Sequence, residues 1–259
     1  MSTVPLSIVF EDDSLLVINK PSGITVNKSE TTVGEVTLQD QVADYLHLTP
    51  VVSSSTNEED DEDNDTFVSA FRDRAGIAHR LDKETSGIIL VAKTEAAFIR
   101  LLEEFKERIV SKTYLTLVHG RLAPPEGEIN VPVGRLPWNR RQFGIVAGGR
   151  ESLTRYQVKG YFRMDDKRKE QLSFVEVRPL TGRTHQIRVH MQYLGHPIFS
   201  DFLYAGRKTQ RDDRKLLKRV FLHAASISFL HPVGNEKISF EAPLPVELAA
   251  VFDHLVPMV

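Results

Sequence analysis

The segment His79-Arg80-Leu81-Asp82-Lys83-Glu84-Thr85-Ser86-Gly87 places a dense run of ionisable and polar residues directly before an apolar stretch, IILVAK. Short polar segments held by a rigid strand are where catalytic groups tend to sit. Asp82 stands among Arg80 and Lys83, and cationic neighbours favour the ionised form of a carboxylate. An ionised aspartate serves as nucleophile or base. The same residues also make an ordinary salt-bridged turn leading into a strand, and their types alone do not separate the two readings. A second cluster is Arg178-Pro179-Leu180-Thr181-Gly182-Arg183-Thr184-His185-Gln186-Ile187-Arg188. Here a strand ends at Pro179, a Thr-Gly turn follows, and Arg183 stands at the start of a helix. Its planar fork matches a carboxylate or a phosphate at two points, and helix N-termini attract anions. Arg183 therefore suits pairing with Asp82 or holding a phosphate, unless its charge is simply solvated. The third cluster is Lys112-Thr113-Tyr114 in a strand, where a tyrosine either packs in the core or offers a face on which a base can stack.

Basic and aromatic residues interleave at two more places. Residues 207–219, RKTQRDDRKLLKR, hold seven basic and two acidic residues, and Arg135, Arg140 and Arg141 lie near Trp138 and Phe143. Such patterns suit a nucleic-acid backbone with exposed bases, and they also suit a solvated surface. Nine histidines raise the question of a metal. His185 and His190 are five apart, which does not put them on one helical face, and no cluster has familiar ligand spacing. No metal and no cofactor are expected. There is no glycine-rich phosphate loop of the nucleotide-binding types. The chain has no cysteine, which excludes disulfides, thiol nucleophiles and cysteine-based metal centres.

The elements that must position these groups are legible in part. SIVFEDDSLLVINKPSG reads as a hairpin around an Asp-Asp turn, ended by Pro21, Ser22 and Gly23. TLQDQVADYLHL puts Leu38, Val42, Tyr45 and Leu46 near helical spacing. Residues 87–93 read as a buried strand. Thr94 then caps a helix whose apolar stripe is Phe98, Leu101, Leu102 and Phe105. KTYLTLVHG, RYQVKGYF and LSFVEVRPL read as strands, and THQIRVHMQYLG as a helix closed by Gly195. FLHAASISFLHP and KISFEAP form a late hairpin, and PVELAAVFDHL closes the chain as a helix. Strands dominate, without regular βαβ spacing, so an α+β fold on a largely antiparallel or mixed central sheet with flanking helices is expected.

Residues 51–66 are serine-rich and then acidic, and are expected to form a solvated surface loop, or else an acidic element that gates a basic groove. The net charge of −2 is dominated by this stretch. Without the seven acids of residues 57–65, the remaining 33 Lys and Arg face 28 Asp and Glu. That mildly basic balance permits a polyanionic partner. No apolar run approaches the roughly 20 residues of a membrane span, and no secretory leader is visible.

At HRLDKETSGIILVAKT the chain resembles the RluA branch of the RNA pseudouridine synthases. The opening hairpin IVFEDDSLLVINKPSGITV, the segment SKTYLTLVHG, the segment RPLTGRTHQIRVHMQYLGHPIFSD and the late strand FLHAASISFLHP are similar to further family motifs in the same order. The resemblance implies a curved, mixed sheet flanked by helices with a cleft across it. It implies that Asp82 is the essential aspartate, that Tyr114 packs on the target base, and that Arg183 ion-pairs with the aspartate. It further implies that Arg80 and Lys112 help bind the substrate and that Ile187 and Leu222 line the pocket. Two departures stand out: the acidic insert, and the expected lack of an N-terminal S4 domain, since the catalytic hairpin begins by residue 7. The expectation is one catalytic domain over 1–259 that acts on rRNA or tRNA as a cytoplasmic monomer without a membrane partner. Two other classes remain in view. A non-catalytic RNA-binding protein would need none of Asp82, Tyr114 and Arg183. A hydrolase of glycosidic bonds would need a second carboxylate as acid, for which Glu84 is the one nearby.

Overall fold

The run Ser86–Ala92 is buried at every position, as strand β3. A strand covered on both faces needs apolar side chains on both, so it shows no polar–apolar alternation. The computed structural model describes residues 5–28, 32, 34–48, 69–166 and 169–258. The acidic stretch at 51–66 lies outside these residues. The chain divides into two compact units. The first comprises Met1–Lys83, Gly87–Val110 and Ser228–Ala242, and the second Glu84–Ser86, Ser111–Ile227 and Pro243–Val259.

In the first unit, β1 (Ile8–Glu11) and β2 (Leu15–Lys20) form the expected antiparallel hairpin. Asp12 shapes its turn by accepting hydrogen bonds from the Ser14 and Leu15 amides at 2.7 and 2.8 Å. β2 pairs antiparallel with β3 from Leu15↔Ala92 to Lys20↔Gly87. The helix Leu38–Tyr45 starts at a reciprocal cap between Thr37 and Asp40 and buries Leu38 and Val42. The helix Glu95–Lys106 is capped by Thr94, as expected. Its buried face is Ala97, Phe98, Leu101 and Glu104 rather than the stripe through Leu102 and Phe105. Glu104 turns inward because its Oε2 accepts from the Leu230 amide at 2.9 Å, a partner that local periodicity does not reveal.

In the second unit, β4 (Ser111–His119), β9 (Gln171–Pro179) and β8 (Leu153–Met164) pair antiparallel in that order. β5 (Glu126–Asn130) pairs the first half of β8, and β12 (Leu255–Met258) pairs its end. β6 (Val133–Leu136) and β7 (Asn139–Ile145) form a separate hairpin. Strands β5, β6, β7 and β12 have no counterpart among the strands expected from the sequence. The expected closing helix shrinks to Val246–Ala249 and a 3₁₀ turn, Ala250–His254, before the chain enters β12. Only four residues of edge strand lie there, too short for any period, and pairing to Tyr161–Met164 of β8 defines them. β10 (Leu222–Leu230) begins in this unit and ends in the first, where β11 (Lys237–Glu241) pairs it as the late hairpin. The class is α+β, with a mixed sheet and few helices. Among the described residues, no helix is long and apolar enough to cross a membrane.

The core of the second unit gathers Leu117, Val175, Val177, Met191, Phe199 and Phe221. At its margin His119 is clamped, with Nε2 2.9 Å from Asp213 Oδ2 and Nδ1 2.9 Å from Glu170 Oε1. Burial opposes the charged ring, but the hydrogen bonds and charges of Asp213 and Glu170 outweigh it and push the pKa up to about 9. A raised folded pKa stabilises the fold below the unfolded value near 6.5, and that contribution disappears as pH rises to about 9. We expect stability to fall by up to about 3 kcal/mol between pH 6.5 and 9. A His119→Gln variant should show little of that pH dependence. Equal slopes for both proteins in urea titrations across that range would contradict the clamp.

Candidate active site

The Asp82 turn belongs to the first unit as far as Lys83. Ahead of it, residues 76–79 run beside β3: the Ala78 amide donates to the Leu90 carbonyl, and the Leu90 amide donates to His79 Nε2 at 3.0 Å. The His79 ring packs on Phe105 with centroids 5.0 Å apart. Leu81 is buried, Asp82 partly exposed and Arg80 exposed. The Lys83 carbonyl accepts from the Gly23 amide at 2.8 Å and from Lys20 Nζ at 3.3 Å. Gly23 holds φ +91, where a side chain would strain the turn. Lys20 is fully buried, and its ammonium also donates to the Pro21 and Ile24 carbonyls at 2.8 and 2.9 Å. The Lys-Pro-Ser-Gly turn thus grips the peptide that follows Asp82. Lys20 was not singled out in the sequence, although it lies in one of the recognised motifs.

Tyr114, Lys112, Arg183, Ile187 and Leu222 all belong to the second unit. Tyr114 sits in β4 opposite Val177, half-buried against the core. Lys112 is two residues earlier, on the same face of the strand. Burial pushes its ammonium down to about 8. Ile187 and Leu222 both belong to the apolar cluster against which Tyr114 packs. Arg183 stands in the turn before the helix Gln186–Tyr193, and its Nε donates to the Glu151 carbonyl at 3.1 Å.

That turn is built by Gln186, whose role no local pattern reveals. Gln186 is buried, and its Oε1 accepts from Thr181 Oγ1 at 2.8 Å and from the Arg183 amide at 3.0 Å. Its Nε2 donates to Thr154 Oγ1 at 2.9 Å and to the Leu153 carbonyl at 3.1 Å. Gln186 therefore ties the Arg183 turn to β8. Two residues further on, Arg188 forms a buried two-point pair with Asp201, at 2.6 Å (Nε–Oδ2) and 2.8 Å (Nη2–Oδ1). His190 is buried, with Nδ1 2.9 Å from Thr154 Oγ1, and burial lowers its pKa. His185 instead meets the Tyr204 hydroxyl at 2.8 Å. Among the described residues, no group of three or more His, Asp and Glu is arranged to hold a metal ion.

The β6–β7 hairpin carries Trp138, 78% exposed, and Arg135 over the Phe143 ring at 5.2 Å. In residues 207–219 the basic side chains divide. Arg207, Lys208, Arg211, Lys215 and Lys218 are exposed, whereas Arg219 is buried and Arg214 is held by Glu84.

Residues 14–193 match the family model described as RNA pseudouridylate synthase. The ribosomal large subunit pseudouridine synthase D of Vibrio parahaemolyticus is 33% identical over 97% of this chain and 71% of its own length. An uncharacterized RNA pseudouridine synthase of Bacillus subtilis is 32% identical over 96% of this chain and 73% of its own. Among solved structures, the human RNA pseudouridylate synthase domain containing 1 superposes with a TM-score of 0.70 at 28% identity, covering 100% of this chain and 92% of that one.

Proposed function

This chain belongs to the RluA branch of the RNA pseudouridine synthases, and on that premise we propose that Asp82 is its catalytic aspartate and that its target uridine lies in ribosomal RNA. The reaction is an isomerisation. The C1′–N1 bond breaks, the freed uracil turns, C5 joins C1′, C5 gives up its proton and N1 gains one. Substrate and product contain the same atoms, so the stoichiometry calls for no second reagent. The observation that supports Asp82 is its setting: a partly exposed carboxylate between buried Leu81 and buried Thr85, on a turn gripped through the Lys83 carbonyl. Attack on C1′ and removal of a C2′ proton both need the ionised form.

The other roles follow from chemistry. The base must leave its stack, at a cost of about a few kcal/mol. Stacking on the Tyr114 ring returns about 1–3 kcal/mol of that. Its hydroxyl is the proposed acceptor of the C5 proton. Arg183 is proposed to ion-pair with Asp82, Arg80 and Lys112 to hold the displaced nucleotide, and Ile187 and Leu222 to line the pocket. The two units are proposed to work as one catalytic domain, supported by a family match that runs through both. A cytoplasmic monomer is the simplest form for this activity. The hydrolase reading loses its acid: Glu84 Oε2 accepts from Arg214 Nη2 at 2.7 Å and from the Val220 amide at 2.9 Å, the reverse of what a proton donor needs.

Ribosomal RNA as target is supported by the similarity to the Vibrio ribosomal large subunit pseudouridine synthase D. Single-nucleotide mapping of pseudouridine in cells with and without the gene tests it. The expected result is a large-subunit rRNA position that loses its pseudouridine and regains it on complementation. Unchanged rRNA with a lost site in tRNA would overturn the target while keeping the activity. For Tyr114, the Phe variant should bind RNA normally and turn over at least about ten-fold more slowly if the hydroxyl handles a proton. Full turnover by that variant would leave stacking as its role.

A further inference from the structure

Two of the seven basic residues in 207–219 are turned inward, onto the segment that follows Asp82. Arg219 is 6% exposed. Its Nη1 donates to the Glu84 carbonyl at 3.1 Å and to the Leu222 carbonyl at 3.3 Å. Its Nη2 donates to Ser86 Oγ at 2.9 Å and meets Glu247 Oε1 at 3.0 Å. Ser86 Oγ is also 2.9 Å from Nδ1 of the fully buried His223. Arg214 holds the Glu84 carboxylate from the other side. All these residues lie in the second unit. Taking a guanidinium out of water is costly, and it is repaid only by well-placed partners. An arginine kept for a phosphate backbone would stay exposed, as Arg211 and Lys215 do.

We propose that Arg219 is a positioning residue for the reaction: one buried guanidinium fixes the peptide two residues beyond Asp82, the Ser86 hydroxyl at the head of β3 and the first residue of β10. The proposal rests on Asp82 being the catalytic residue. Its physical basis is that a catalytic group must be held to within about 0.5 Å, and that a planar fork donates at fixed angles to several acceptors at once. Lysine has the charge without the fork. The Leu222 carbonyl shares this anchor, so the same side chain also holds a residue of the apolar cluster on which Tyr114 packs.

The test uses the full chain with Arg219→Gln and Arg219→Lys. Single-turnover rate is measured with enzyme in excess on a mapped target RNA, together with RNA affinity at two salt concentrations and a thermal melt. The expected result for Arg219→Gln is a cooperative melt, a Kd within two-fold of wild type, an unchanged salt slope and a rate lowered ten-fold or more. Arg219→Lys should recover part of that rate. A wild-type rate overturns the proposal. So does a weaker Kd with a salt slope shallower by about one, the signature of a lost phosphate contact. If Arg219→Gln does not melt cooperatively, Ser86→Ala decides, because it removes the Nη2 acceptor at almost no cost in volume. A several-fold slower rate at unchanged Kd supports the proposal, and a wild-type rate overturns it. Asp82→Asn run in parallel separates the two readings. An active Asp82→Asn removes the premise, whereas an inactive one beside a fully active Arg219→Gln removes this proposal alone.

Discussion

Replacing Asp82 with Asn is expected to give a folded protein that binds RNA and makes no measurable pseudouridine. The substitution is nearly isosteric and Asp82 is partly exposed, so packing should be little changed. The turn is held through backbone groups, the Lys83 carbonyl with Gly23 and Lys20, and these remain. What disappears is the ionised oxygen, and an amide is a poor nucleophile and a poor base. The expected loss in single-turnover rate is more than about a thousand-fold, with Kd for the target RNA within a few-fold of wild type. Enzyme in excess separates chemistry from product release. A variant that kept a tenth of the wild-type rate would show that Asp82 is not the catalytic residue. Arg183→Lys should be damaged as well, but less completely, because an ammonium keeps charge and loses two-point geometry.

The largest effect on stability is expected at the buried pair Arg188–Asp201. Both side chains are almost inaccessible, at 5% and 0% exposure, and they meet at two points. Asp201 Oδ1 also accepts from the Leu203 and Tyr204 amides at 2.9 and 3.2 Å, and Arg188 lies over the Tyr204 ring at 5.0 Å. Removing one partner leaves the other charge buried without its counter-ion, at a cost of about 3–5 kcal/mol. Against a typical total of roughly 5–15 kcal/mol, that is enough to threaten the fold at growth temperature. Arg188→Met and Asp201→Asn should each lower the urea midpoint sharply. The double variant should be more stable than the sum of the two losses predicts, because no lone charge remains and Asn still accepts from the two amides. Since Arg188 shares its helix with Ile187 and follows the Arg183 turn, activity of the single variants should fall further than their folded fraction explains. Single losses under about 1 kcal/mol would mean that the pair is neutral to stability.

The sequence by itself carried whatever depends on near neighbours. The β1–β2 hairpin was legible because Asp12 closes its own turn on Ser14 and Leu15. β3 was legible because a strand buried on both faces is one apolar run. The Thr94 cap was legible because the cap bonds the amide three residues on. The family, and through it the activity, was legible because several motifs occur in one order, a signal independent of contacts. Composition and charge pointed to a basic segment at 207–219 and could go no further.

Tertiary structure decided what each charged or polar residue is for. Arg219 and Glu84 are 135 residues apart in sequence, Glu104 and Leu230 are 126 apart, and Lys20 and Lys83 are 63 apart. In a local window Arg219 looks like one more surface cation, Glu104 like the polar side of a helix and Lys20 like the solvated end of a strand. Each is buried because a distant segment supplies acceptors or donors that offset the loss of water. Gln186 was hidden for the same reason, since two of its partners lie on β8. The short strand β12 exists only where β8 pairs with it. Burial of a polar group is set by the sum of its desolvation and its partners, and the partners are brought together by the fold.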